Sequence, residues 1–529
     1  MRSGAVVLGG LATVLCFRCA EDARPEDRCR EAVAATSAGT CAVSGAAGAP
    51  AGTGGGDAQG GAGGESGGGT GAEPAGAGGE SGGATVGGSL RLEKIALYQA
   101  VESTLMERGV EVSAPSAAIV AGRAALVRVF ASLSDDWQPR PVTAELTVEA
   151  GGLPTTVTVR RVPEAGSTQS ELGSTWNLDV PVQRMLPDAT VRVRLVDERT
   201  GTALASWPER DFALGAVAPN GPFELVIVPV VAAGFEPDVT DSTLARYARL
   251  FRGMYPIAEL TLSVRASIQA PVTPQANGAG WAETLDAVYS ARTEDQPPSN
   301  VFYFGVVTPA ASYDDYCPTT CTVGAGIIAE PDDLELRGAI GIGFFETPSD
   351  RIPPETMAHE IGHALGRPHS PCDTGESNGF PYADGGIGVF GFDGAALLAP
   401  GSFADVMGYC SPAWISDHTW NALLERIISV NAPERMLRIA NVAGPSFRRL
   451  VLGADGAVRW GGFQRTAPEL AASKTIDMLD TDGALEQRVD VPFVPFAHLE
   501  GGFLLVPTTV LEQSNAAVVA LGRTRVVAP

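Results

Sequence analysis

The chain is 529 residues long, 45% hydrophobic, and carries 61 acidic against 37 basic side chains, for a formal net charge of −24. That length exceeds what one hydrophobic core serves, so about three or four domains are expected. The acidic balance repels a phosphate backbone and leaves no basic footprint for DNA or RNA, which excludes nucleic-acid binding.

The chain opens with MRSG, an apolar run AVVLGGLATVLCF and a polar stretch from Arg18. One arginine before a short apolar run is the plan of an export signal, predicted over residues 1–22, and the run is too short to span a bilayer. Cys16 and Cys19 are the candidates for a lipid anchor, although Leu15 and Arg18 precede them where a small residue is expected. No other segment is apolar for long enough to cross a membrane. Residues 23–88 follow as a predicted linker. From Gly45 to Gly88 it is almost entirely Gly, Ala, Ser, Thr and Glu. Such a composition buries too little apolar surface to offset chain entropy, so a flexible tether is expected.

Residues 89–218 change to short runs of period-two character, such as 124–133, 142–150, 155–162 and 189–198, separated by turn residues. This spacing predicts a β-sandwich, immunoglobulin-like, with no catalytic constellation of its own. Residues 219–433 alternate strands (224–231, 260–268, 301–307, 339–345) with helices (241–255, capped by Asp241 or Ser242, and 280–292), the pattern of an α/β sheet domain. Residues 434–529 return to short strands and are expected to form a second small β-domain.

The chemistry is concentrated in TMAHEIGHALGRPHSPC, Thr356 to Cys372, which holds three of the five histidines. Residues four apart share one face of a helix, so His359 and His363 can present two imidazoles to one metal ion. Glu360, beside the first of them, is placed to reach a water rather than the metal. Pro354 suits the first helical turn, and Gly366 the left-handed exit, after which His369 can swing back as a third ligand. Three nitrogens and one open position describe a catalytic Zn²⁺ site rather than a structural one. Such an ion acidifies water to a pKa of about 7, and Glu360 can take its proton and pass it to a leaving amine.

HEIGHALGRPH resembles the metzincin zinc-peptidase signature HExxHxxGxxH at every defined position. The resemblance covers the middle domain, not its flanks. It implies an α/β metzincin catalytic domain, one catalytic zinc held by His359, His363 and His369, and Glu360 as general base. It also implies a methionine turn beneath the metal, for which DVMGYC offers Met407. Tyr409 is similar to the tyrosine that astacins, serralysins and pappalysins place at the zinc. No single subfamily fits: Ser370 after His369 is as in matrixins, which lack that tyrosine. WISDHTW (414–420) looks like the start of a closing helix capped by Ser416.

The four late cysteines of an exported chain are expected to form two disulfides. Composition leaves three pairings open. Because the resemblance brings the third ligand and the methionine turn under one ion, Cys372 is expected to pair with Cys410, and Cys317 with Cys321. Cys29 and Cys41 have no recognisable switch motif and are expected to pair with each other. The long loop after Cys372 offers Asp373, Glu376, Asn378 and Asp384 as oxygen ligands for Ca²⁺, as pappalysin-like loops do, against the plainer reading of a solvated acidic loop. Two functions compete: an endopeptidase acting on extracellular proteins or glycoproteins, and a non-catalytic adhesion or binding protein with a vestigial peptidase domain. The intact ligand set and Glu360 favour the enzyme.

Overall fold

The run Val301–Val307 is apolar at all but its glycine, the pattern of a strand covered on both faces. Its side chains divide by alternation. Phe302, Phe304 and Val306 enter one core, and Val301, Tyr303 and Val307 enter another on the opposite face. The structure, a computed structural model, describes residues 88–345, 350–432, 447–469 and 471–529. The expected export signal, nearly all of the expected linker and the four early cysteines lie outside the described residues. Gly87–Pro529 forms one compact unit, a mixed α/β structure built mostly of sheet with few helices.

The central sheet runs in the order Leu260–Val264, Phe223–Val231, Val301–Val307, Gly338–Ile342, Gly324–Gly326, with Ile268–Gln269 also paired to Phe223–Val231. All pairings are parallel except that of the edge strand Gly324–Gly326, which runs antiparallel to Gly338–Ile342. The expected strand 260–268 is thus two short pieces. One face is covered by helices Asp241–Met254, Ile352–Ala364 and Asp417–Val430, which contribute Tyr247, Phe251, Met357, Ile361, Trp420 and Leu423 to the core. The first of these starts at Thr240 rather than at Asp241 or Ser242. Asp238 accepts the Thr240 N–H (2.9 Å) and the Thr243 hydroxyl (2.6 Å), so the acidic side chain acts from outside the helix. The last starts at Ser416, whose hydroxyl accepts the Thr419 N–H at 3.0 Å, as expected. The other face is covered by helix Trp281–Asp295.

Preceding this sheet are two antiparallel sheets of five and four strands that share a core. In Val142–Ala150 every second residue is buried, the signature of a strand with one face on a core. Arg123 ties this sandwich to the centre, donating to the carbonyls of Gly253 and Tyr255, both at 2.9 Å.

After the centre comes a seven-stranded antiparallel sheet, from Phe447 to Val527. It is not a detached flank. Val451, Val494, Phe496, Phe503 and Leu505 share a core with helix Trp281–Asp295 and the central strands. Buried Arg449 pairs with Asp286 of that helix at 2.5 Å.

Candidate metal centre

Helix Ile352–Ala364 carries Pro353 and Pro354 in its first turn, where a missing N–H leaves no bond unmade. Its close approach to the sheet depends on glycine: a Cβ at Gly341 would lie 2.8 Å from both Phe304 and Thr356. His359 and His363 stand one turn apart and buried, with their Nε2 atoms 3.0 Å from each other. Each imidazole turns Nδ1 to a backbone carbonyl, His359 to Val406 at 2.7 Å and His363 to Arg367 at 2.6 Å. A carbonyl only accepts, so Nδ1 bears the proton in both rings and Nε2 presents a bare lone pair.

The helix ends as its sequence predicts. Gly366 has φ +79°, its N–H reaches the His363 carbonyl at 2.7 Å, and the Arg367 N–H reaches Gly362 at 2.9 Å, a Schellman closure. A Cβ at Gly366 would lie 2.9 Å from the Ala329 carbonyl and collide with Arg426. The bend returns His369 to the site, with Nδ1 3.6 Å from Glu376 and Nε2 3.1 Å from the Tyr409 hydroxyl.

Beneath the helix lies Met407, 1% exposed. A Cβ at Gly362 would lie 2.5 Å from its sulfur, so the glycine between the two helical ligands makes room for the methionine. Asp405 fixes the turn by accepting the Met407 N–H at 2.8 Å and the Ser416 N–H at 2.9 Å. Cys372 and Cys410 are bonded, with Cα atoms 5.7 Å apart, and the Tyr409 N–H donates to the Cys372 carbonyl at 3.0 Å. Cys317 and Cys321 are likewise bonded, at 5.4 Å. Both pairings are those expected.

Glu360 is 3% exposed and lies against the edge strand. Cβ atoms at Gly324 or Gly326 would collide with its carboxylate, so the Gly-Ala-Gly sequence of that strand gives Glu360 its space. Burial pushes its carboxyl up to about 8, against the opposing pull of His359 and His369. Burial likewise pushes His359 down to about 3 and His363 well below its ordinary value, which keeps both imidazoles neutral, the form that binds metals. Tyr409, 51% exposed, is raised to about 12 by partial burial and by the charges of Glu360 and Glu376.

A fourth imidazole completes the group. His498 comes from the last sheet, its Nδ1 3.2 Å from His369 Nε2 and 2.9 Å from the Tyr409 hydroxyl. Its Nε2 donates to Glu360 at 3.1 Å. The coordinating atoms of His359, His363, His369 and His498 all lie within 4.8 Å of one another and can hold a metal ion. The helical pair fits one: two nitrogens on a tetrahedral ion with bonds of about 2.0–2.1 Å sit about 3.3 Å apart, close to the spacing of His359 and His363. Two buried lone pairs at 3.0 Å repel unless a cation lies between them.

Sequence reasoning missed His498, Asp405, Gly362 and the glycines over Glu360. His498 lies in PFAHLEGG, 129 residues beyond His369, with no spacing to link it to the motif. The acidic loop makes no such cluster among the described residues. Glu376 accepts from Asn378 at 2.6 Å and faces His369, while Asp384 accepts the Gly386 N–H at 3.0 Å.

No family model matches the chain, and no curated protein matches it. Among solved structures it is similar to metalloproteinase-II from Bacteroides fragilis, at 12% identity and a TM-score of 0.23, covering 59% of this chain and 85% of that one.

Proposed function

We propose that the chain is an exported zinc endopeptidase of the metzincin type, acting on protein or glycoprotein substrates. One observation carries the reading. Two helical imidazoles, each with Nδ1 committed to a carbonyl, aim bare Nε2 atoms at one point 3.0 Å apart, with a third imidazole and a carboxylate beside them. His359, His363 and His369 are the zinc ligands. Zinc held there supplies Lewis acidity, acidifying water to a pKa of about 7 and polarising a carbonyl. Glu360 takes a proton from the attacking water at its carboxylate and delivers it to the leaving amine nitrogen as the C–N bond breaks. Tyr409 donates its hydroxyl hydrogen to the developing oxyanion. The two disulfides accord with export to an oxidising compartment. Among the described residues no helix is long and apolar enough to cross a membrane.

His498 favours a second reading, a non-catalytic exported binding protein whose four histidines hold a closed structural ion. One pair of variants separates the two. In His498→Ala, where Glu360 has lost that neighbour, a peptidase hydrolyses unfolded protein substrates and holds about one zinc per chain. Adding Glu360→Gln should lower turnover by about 10²–10⁴-fold and leave the zinc in place. A zinc-loaded His498→Ala chain that hydrolyses no peptide bond establishes the structural site instead.

A further inference from the structure

His498 is held in the centre by a built device rather than by a chance side-chain position. It stands at the tip of the hairpin that joins strands Leu485–Pro495 and Gly502–Pro507. The hairpin closes through Gly501 and Gly502, at φ +109° and +153°, where a Cβ would collide with the carbonyls of Leu452 and Val494. Its tip is anchored on both sides of the histidine. Phe496 is buried in the core shared with the central sheet, and Leu499 packs against that core. Between them the Ala497 N–H donates to the Gly326 carbonyl at 3.0 Å. Gly326 lies on the edge strand, so the hairpin occupies a backbone acceptor that an extended peptide would use to pair with that edge. The side chain of His498 is only 11% exposed, and both of its nitrogens are engaged. Nδ1 lies 3.2 Å from His369 Nε2, and Nε2 holds Glu360.

We propose that His498 is the fourth protein ligand of the metal, so that the chain rests as a closed four-histidine site with the hairpin Phe496–Gly502 filling its own cleft. This rests on the reading of the centre as a peptidase site and specifies how that site is kept silent. One residue takes the coordination position a catalytic centre keeps for water or substrate, engages Glu360 and brings its hairpin onto the edge strand. The last sheet is then an inhibitory module carried in cis.

Cobalt substitution of the full chain tests the ligand directly, without reference to hydrolysis. In the wild-type chain Co²⁺ should give the intense d–d bands of a tetrahedral ion with four nitrogen ligands, unchanged by millimolar acetohydroxamate. In His498→Ala the bands should weaken or shift as water enters, and acetohydroxamate should shift them again. Metal affinity, read by chelator competition, should fall at least about tenfold, since even the loss of a residue that only orients a ligand costs about 10–100-fold. Should His498→Ala not fold, the hydroxamate response of the wild-type chain alone decides. A wild-type spectrum that shifts on hydroxamate addition, or one that His498→Ala leaves unaltered, overturns the ligand assignment. Hydrolysis read in parallel keeps the two proposals apart. Wild-type and His498→Ala chains of equal activity overturn the plug and leave the peptidase standing. An opened cobalt spectrum without any hydrolysis supports the His498 ligation and overturns the peptidase.

Discussion

Single residues at this centre are set by what their second polar atom does. The carbonyls of Val406 and Arg367 choose the tautomer of His359 and His363, and so decide that Nε2 rather than Nδ1 is free to meet a metal. The helical part of this was legible in the sequence, because helix geometry converts a spacing of four into adjacency and leaves the residue between free for another task. Tyr409 was legible only through its distance from Met407. Its hydroxyl lies 3.1 Å from His369 Nε2 and 2.9 Å from His498 Nδ1, at the rim of the cluster. If Tyr409 is the oxyanion donor proposed above, Tyr409→Phe in a His498→Ala background should lower kcat by about 10–10³-fold, with KM little changed. A KM rise at constant kcat would make the tyrosine a substrate contact and remove it from the chemistry. His498 escaped sequence reading for a physical reason. No local periodicity constrains it, and its position follows from how a distant hairpin docks.

At the level of elements, the site depends on where one short helix stops. Helix Ile352–Ala364 ends at Gly366 in the left-handed region, and the bend there returns His369 to the cluster. The glycine was readable from the motif, whereas the crowding around it was not, since Arg426 and the Ala329 carbonyl arrive from other elements. Gly366→Ala meets a positive φ and a collision at once. Its cost should therefore exceed the roughly 1 kcal/mol at stake in an unstrained exchange of this kind. Thermal unfolding should begin earlier, and if His369 is the third ligand, as proposed, metal affinity should fall as it is displaced. A variant with lowered Tm but undiminished affinity would show that His369 finds the metal without this bend. The strands were foreseen in their alternation and missed in their breaks. Val142–Ala150 reads as a half-buried strand from its period, but the interruption between Val264 and Ile268 leaves no mark in an apolar count.

Across the whole molecule, the last sheet, expected as a second small β-domain, belongs to one compact unit with the central sheet and reaches the histidine cluster. That docking is held by a buried polar clamp as well as by apolar packing. Arg449, 1% exposed, meets Asp286 at 2.5 Å, the Phe463 carbonyl at 3.0 Å and Ser290 at 3.1 Å. The Gly462 N–H adds a second donor to Asp286 at 3.0 Å. Breaking one half of such a pair strands the other charge in a desolvated place, at a cost of about 3–5 kcal/mol. Arg449→Met should therefore destabilise the fold, and part of the loss should fall on the contact between the last sheet and helix Trp281–Asp295. Each ~1.4 kcal/mol taken from docking raises the undocked population tenfold. If the hairpin silences the site, this remote substitution should raise basal hydrolysis roughly tenfold or more while lowering Tm, and the gain should vanish when Glu360→Gln is added. The variant leaves every group of the histidine cluster intact, so its effect separates release of the hairpin from a change in the cluster itself. A lowered Tm with hydrolysis unchanged would mean that the clamp stabilises the fold without governing access to the centre.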